Sequence, residues 1–130
     1  MIKNISNLGD AAVYCDFGLE VNETINSNVI DYFDHFSKLI KEFPETEFGA
    51  HLHSNNNSSI DKLNAAYQAG CRRFDGSILG VGGCPMAKDE LVGNIPSEKI
   101  IDYLQKAGEN LSINKIELET SINMGHEIFN

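Results

Sequence analysis

Apolar side chains at Val21, Ile25, Val29, Phe33, Phe36 and Ile40 recur every three or four positions. That spacing keeps them on one face of an α-helix. It predicts a helix across this stretch, closed by Pro44, since proline cannot carry a helical hydrogen-bond ladder onward. Ahead of it, residues 11–17 lie between Gly9-Asp10 and Gly18 and read as a strand. Residues 47–53 alternate weakly and read as a second strand. The polar run Asn55-Asn56-Asn57-Ser58-Ser59 reads as a loop ending in a helix cap. Residues 59–69 form the next predicted helix, with Ile60, Leu63 and Ala66/Tyr67 on one face and Gly70 as its stop. Residues 71–74 read as a short strand. Residues 97–107 read as a helix capped by Ser97 and closed at Gly108, and residues 112–129 as a last helix.

Strand, helix, strand, helix is the rhythm of a parallel α/β protein. In such folds ligands gather where strands end and loops begin. Two clusters fall there: His51/His53 at the end of one strand, and the glycine-rich segment 75–96 after the next. A loop of that length in a compact domain is usually a binding or lid element.

Composition narrows the classes. The chain has 130 residues, 42% of them hydrophobic and 22% charged, enough for one domain with a real core. Nineteen acidic against ten basic residues give a net charge of −9. Nucleic acid and anionic membrane surfaces reward Lys/Arg clusters, so neither is an expected partner. No apolar run reaches the ~20 residues of a membrane span, and the N-terminus lacks the shape of a secretory signal. Cys15, Cys71 and Cys84 have no framework spacing. A reduced, cytoplasmic protein is the expectation.

His51-Leu52-His53 places two imidazoles on one side of a strand. They are half of a divalent-metal site or simply polar surface. Gly80-Val81-Gly82-Gly83-Cys84-Pro85 sets a thiol in a loop whose glycines allow close backbone approach to a ligand. The thiol is a usable acid or base if a cation lowers its pKa, or a small buried hydrophobe in a turn. Asn94 offers a side-chain carbonyl for a hard cation, or serves as a turn residue with positive φ. Arg72-Arg73 reads as structural, paired with Asp75 or a neighbouring helix. Cys71 reads as core. His35, His126, Asp31/Asp34 and Glu117/Glu119 read as surface.

Four segments together resemble the C-terminal part of hydroxymethylglutaryl-CoA lyase. They are Phe48-Gly-Ala-His-Leu-His53, Ala69-Gly-Cys-Arg-Arg-Phe-Asp-Gly76, Gly80-Val-Gly-Gly-Cys-Pro-Met-Ala87 and Gly93-Asn-Ile-Pro-Ser-Glu98. The likeness runs from about Glu42 to about Leu104, with a weaker helical tail to Phe129. The resemblance implies a (β/α)₈ TIM barrel, a Mg²⁺ or Mn²⁺ cofactor, and cleavage of hydroxymethylglutaryl-CoA to acetyl-CoA and acetoacetate. By the same resemblance His51, His53 and Asn94 are metal ligands and Cys84 is the catalytic proton-transfer residue. The reaction type asks for such groups: a base for the hydroxyl proton, an electrophile for the oxyanion and an acid for the enolate.

The departures are as informative. A full barrel takes about 250 residues, and this chain holds material for about three βα units. Residues 1–41 lack the family's early arginine–acid motif, and the Cys84–Asn94 spacing is one residue longer than the animal-type pattern. Residues 4–35, from Leu8-Gly-Asp-Ala-Ala-Val-Tyr-Cys-Asp-Phe-Gly18 onward, are similar instead to the start of the oxoprolinase component also called allophanate hydrolase subunit 1. The expected organisation is an N-terminal βα segment over 1–41, of foreign origin, then the C-terminal part of a lyase-type barrel over 42–130. Such a chain is a fusion or a truncated frame. If its first strand pairs beside the lyase strands, it imitates a missing βα unit. Three units leave edges that call for a homo-oligomer or a complementary barrel chain. The competing reading is a non-catalytic α/β partner or binding module.

Overall fold

The computed structural model describes residues 13–16, 25–54, 58–82 and 93–129, with residues 13–16 and 25–32 described by backbone alone. Strand β1 (Val13–Asp16) leads to helix α1 (Ile25–Glu42), strand β2 (Phe48–His51), a short β3 (His53–Ser54), helix α2 (Ser59–Gln68) and strand β4 (Arg73–Asp75). A single helical turn (Ile78–Gly80), β5 (Gly93–Asn94), α3 (Ser97–Lys106) and α4 (Lys115–Phe129) complete it.

The strands β1, β2 and β4 form one parallel sheet in the order β1-β2-β4. Adjacent parallel strands need a crossover, and α1 and α2 supply the two of them. The parallel α/β architecture expected of a partial barrel is thus present. The first strand does pair beside β2, as expected, with Val13 opposite Phe48 and Asp16 opposite His51.

The core sits where α1 and α2 cover β2. Phe36 of α1, Phe48 and Ala50 of β2, and Leu63 and Ala66 of α2 are all buried, joined by Ile100 of α3. Phe48, Gly49 and Ala50 are buried in succession, as in a central parallel strand covered on both faces. Each large side chain so buried contributes roughly 1.5–3 kcal/mol. The buried stripe of α2 is Ser59, Lys62, Leu63, Ala65 and Ala66. It is rotated from the predicted face, leaving Ile60 exposed. Phe33 of the predicted α1 stripe is exposed too. Cys71 is core as expected, its thiol donating to the carbonyls of Phe48 and Arg73.

Helix ends follow the glycine signals closely. Gly70 (φ 103°) and Gly108 (φ 95°) take the left-handed conformation. In each case the following amide bonds back five residues, Cys71 to Ala66 and Glu109 to Leu104, which satisfies carbonyls the helix end leaves open. The starts differ from expectation. Pro96, not Ser97, takes the cap position of α3; the Ser97 amide, one of the donors a helix start leaves open, is satisfied by the Ser77 carbonyl at 2.8 Å. Helix α4 starts at Lys115 rather than 112, capped by the Asn114 side chain, which accepts from the Ile116 and Glu117 amides.

Arg72 and Arg73 are structural, as expected. Arg73 pairs with Glu47 at 2.9 Å, and Arg72 stacks over the Tyr67 ring and faces Glu109. His35, His126, Asp34, Glu117 and Glu119 are exposed as expected. Among the described residues no helix is long and apolar enough to cross a membrane.

Candidate metal centre at the carboxyl ends of the strands

The predicted strand 47–53 is not continuous. It breaks at Leu52, which is buried, and β3 leaves the parallel sheet to pair antiparallel with β5. Side-chain alternation survives the break: Leu52 and Ser54 point inward while His51 and His53 are half-buried. The two imidazoles stay together, ring centroids 5.1 Å apart and edge to face.

Pairing of β3 with β5 brings in the third residue. His53 lies opposite Asn94 and Ser54 opposite Gly93. The Ile95 amide donates to the Leu52 carbonyl at 3.3 Å. By the alternation of an antiparallel ladder, His53/Asn94 is then a non-hydrogen-bonded pair, the kind whose side chains approach closest. Asn94 is therefore a strand residue facing a histidine, not the positive-φ turn residue its alternative reading required. Positive φ falls instead on Leu79, Gly80 and Gly82.

That glycine segment packs on β5. A Cβ on Gly80 would lie 2.7 Å from the Asn94 carbonyl oxygen, and one on Gly93 would lie 2.9 Å from the Gly80 oxygen. The glycines expected to admit a ligand thus first admit another strand. The Asn94 amide donates to the Gly82 carbonyl at 3.1 Å, and Asn94 Nδ2 donates to the Val81 carbonyl at 3.1 Å. Fixing Nδ2 in this way fixes where Oδ1 points.

Two atoms are left over. His53 Nδ1 and Asn94 Oδ1 are buried and have no hydrogen-bond partner among the described residues. A buried polar atom without a partner costs about 1–3 kcal/mol, so native proteins rarely keep one without a reason. The two stand on facing residues beside a second imidazole. Imidazole nitrogen and amide oxygen together suit a divalent cation of the Mg²⁺/Mn²⁺ kind. The residues present fit such an ion. Among the described residues no three His, Cys, Asp or Glu side chains gather as a metal cluster. What the fold brings together is His51 beside His53, and Asn94 opposite His53. Cys84 lies outside the described residues, and the loop leading to it is placed up to Gly82, beside Asn94.

Sequence reasoning missed three residues that build this corner. Ser77 hydroxyl donates to the Val81 carbonyl at 2.7 Å and so shapes the glycine turn. The Glu98 carboxylate accepts from the amide of Leu79 at 3.2 Å, the one non-glycine residue with positive φ among those described. Lys62 of α2 is buried, and its ammonium donates to the His53 carbonyl at 2.7 Å; burial lowers its pKa below the ordinary lysine value. A lysine between Ser59 and Leu63 on the covered stripe of a helix was the available signal.

The HMGL-like family model matches residues 18–125. A hydroxymethylglutaryl-CoA lyase of Bacillus subtilis is 34% identical over 109 residues, covering 81% of this chain and 36% of that protein. The (R)-citramalyl-CoA lyase of Chloroflexus aurantiacus is 36% identical over 70 residues, 54% of this chain and 22% of the relative. The structure of an HMG-CoA lyase from Brucella melitensis superposes with a TM-score of 0.70 over 90% of this chain and 39% of that one; at 18% identity the likeness is one of fold. The chain thus spans about a fifth to a third of its curated relatives. The match starts at residue 18 and runs through the expected boundary at 41/42. The likeness of residues 4–35 to allophanate hydrolase subunit 1 finds no support in these comparisons. On the family match, the barrel-type fold and the sequence identity, the chain belongs to the HMGL-like family.

Proposed function

We propose that the chain carries part of the divalent-cation site of a carbon–carbon lyase acting on acyl-CoA thioesters. His51, His53 and Asn94 would hold Mg²⁺ or Mn²⁺, and Cys84 would exchange the proton with the substrate carbon. The observation that supports this most is that two register partners, His53 and Asn94, each carry a buried atom, Nδ1 and Oδ1, without a hydrogen-bond partner among the described residues. When bound, the cation polarises substrate oxygens. Of the chain's own residues, the two imidazoles and the Asn94 amide would give the rim at which the cation sits. Cys84 acts as the acid that quenches the acetyl enolate. The relatives are lyases of CoA thioesters, which supports the substrate class.

Metal binding by this chain is weak, micromolar or worse. Calorimetry with Mn²⁺ tests it: His51→Ala/His53→Ala should abolish the heat. Equal heat from the wild-type chain and the double variant removes the site.

A second reading, a non-catalytic partner or binding module, draws on the lack of the arginine–acid motif in residues 1–41. Removing charge-stabilising groups costs on the order of 10²-fold each, so the lone monomer is expected to be inactive. Turnover would need a second copy or a complementary barrel chain. Ile116, Met124, Ile128 and Phe129 of α4 are exposed apolar side chains that such an assembly could cover. Acetoacetate formation from hydroxymethylglutaryl-CoA by the monomer with Mg²⁺ would overturn the need for assembly.

A further inference from the structure

We propose that Lys62 is a positioning residue of the candidate metal centre, holding His53 through its backbone carbonyl. The inference rests, for its link to metal, on the reading of His53 as a ligand.

In a non-hydrogen-bonded antiparallel pair the backbone groups of both residues point away from each other. His53 and Asn94 are such a pair, so each presents main-chain groups outward that no strand partner takes. Asn94 turns its amide to the Gly82 carbonyl at 3.1 Å. His53 turns its carbonyl to Lys62 Nζ at 2.7 Å. The two facing residues are thus clamped from opposite sides, one by the glycine turn and one by a helix lysine.

The choice of lysine calls for a reason. Lys62 is 5% exposed, on a helix stripe otherwise filled by Ser59, Leu63, Ala65 and Ala66. Lysine is almost never so buried unless paired, because removing an ammonium from water is costly. An apolar residue would fill the same stripe at no such cost but would leave the His53 carbonyl without this donor. A two-residue strand cannot set its own orientation by ladder bonds. A charge-assisted bond to its first residue can.

The test uses the full chain with Lys62→Met, which keeps length and removes the donor, and Lys62→Gln, which is too short to reach. Three quantities are read: the thermal midpoint, amide hydrogen exchange resolved by residue, and Mn²⁺ affinity. Both variants should keep the midpoint near wild type. They should lose protection at the Asn94 and Ile95 amides while β2 and α2 keep theirs. Mn²⁺ affinity should fall about 10-fold or more, the usual effect of removing a group that orients a ligand.

A parallel loss of protection at every amide, or failure of both variants to fold, would make Lys62 a packing residue and overturn the proposal. So would unchanged protection at Asn94 and Ile95, or unchanged Mn²⁺ affinity where the wild-type chain binds Mn²⁺. If the wild-type chain binds no Mn²⁺ at all, the metal reading fails, and the local exchange pattern alone still decides whether Lys62 holds His53.

Discussion

The two sheets of this chain are held together by different means. In the parallel sheet, β2 is flanked on both sides by strands in register and covered by the buried side chains of α1 and α2. Its order comes from area removed from water, which is large and non-directional. The β3–β5 pair has two residues per strand. A two-stranded pair is marginal by itself in water, and this one is fastened from outside by the Lys62 ammonium, the Gly82 carbonyl and close glycine contacts. The candidate ligands His53 and Asn94 sit on the second kind of structure, with His51 at the junction. A scaffold built on burial tolerates exchange of similar side chains. A site built on single bonds and missing Cβ atoms does not. The small sheet should therefore be able to fail alone, while failure of the large one takes both.

The largest expected effect breaks the scaffold. Leu63 is 1% exposed in the core under α2. Leu63→Ala should cost about 2–5 kcal/mol, the usual range for a buried leucine cut to alanine. Urea unfolding would measure it, and amide protection should fall in both sheets, because the small one leans on the large. Protection lost in β2 but kept in β5 would show that the small sheet does not depend on this core.

Next comes a change that strikes the site. Gly80 has φ 67°, and a Cβ there would lie 2.7 Å from the Asn94 carbonyl and 3.1 Å from Pro96. Gly80→Ala should cost about 1–3 kcal/mol from left-handed strain and overpacking. Its mark should be local. Exchange should quicken at Asn94 and Ile95 and Mn²⁺ binding should weaken, while β2 stays protected. A uniform loss across the chain would erase the distinction between the two sheets.

The same distinction explains what was legible in the sequence. Periodicity and glycine stops gave α1, α2, α3 and α4 to within a few residues, because those signals encode burial and left-handed helix ends. They also placed His51 and His53 on one side of the chain, since alternation by two survives the break at Leu52. The break itself was not legible. Nothing in residues 47–53 shows that Leu52 will bond to Ile95, which lies beyond α2, β4 and the glycine segment. The role of Lys62 was hidden for a similar reason, because its partner is a backbone carbonyl and carries no side-chain signature. Asn94 was a candidate by its side-chain carbonyl and again by the family resemblance. Its companion across the ladder is set by register, which two-residue strands do not specify.

The smallest expected effect lies at the far end of α2 from Lys62 and serves as a control on the scaffold side. The Tyr67 hydroxyl donates to Glu109 at 2.7 Å, and its ring packs edge-on against Tyr103 with centroids 5.8 Å apart. The bond to the Glu109 carboxylate, followed by partial desolvation, raises the Tyr67 pKa above the ordinary tyrosine value. Burial raises that of Tyr103. A raised pKa on an acid means that the folded state prefers the protonated phenol. Its contribution is complete below the unfolded tyrosine value of about 10 and is lost as pH rises through the higher folded value. The thermal midpoint should therefore decline above about pH 10. Tyr67→Phe should make that decline shallower, with Tyr103 keeping the remainder, and near neutrality the variant should differ little, since the group is exposed. Protection at Asn94 and Ile95 should not change, because neither touches this network. An alkaline limb as steep in Tyr67→Phe as in the wild-type chain would mean that the Tyr67–Glu109 bond does not form in solution, and that α2 and the segment after α3 are joined by packing alone.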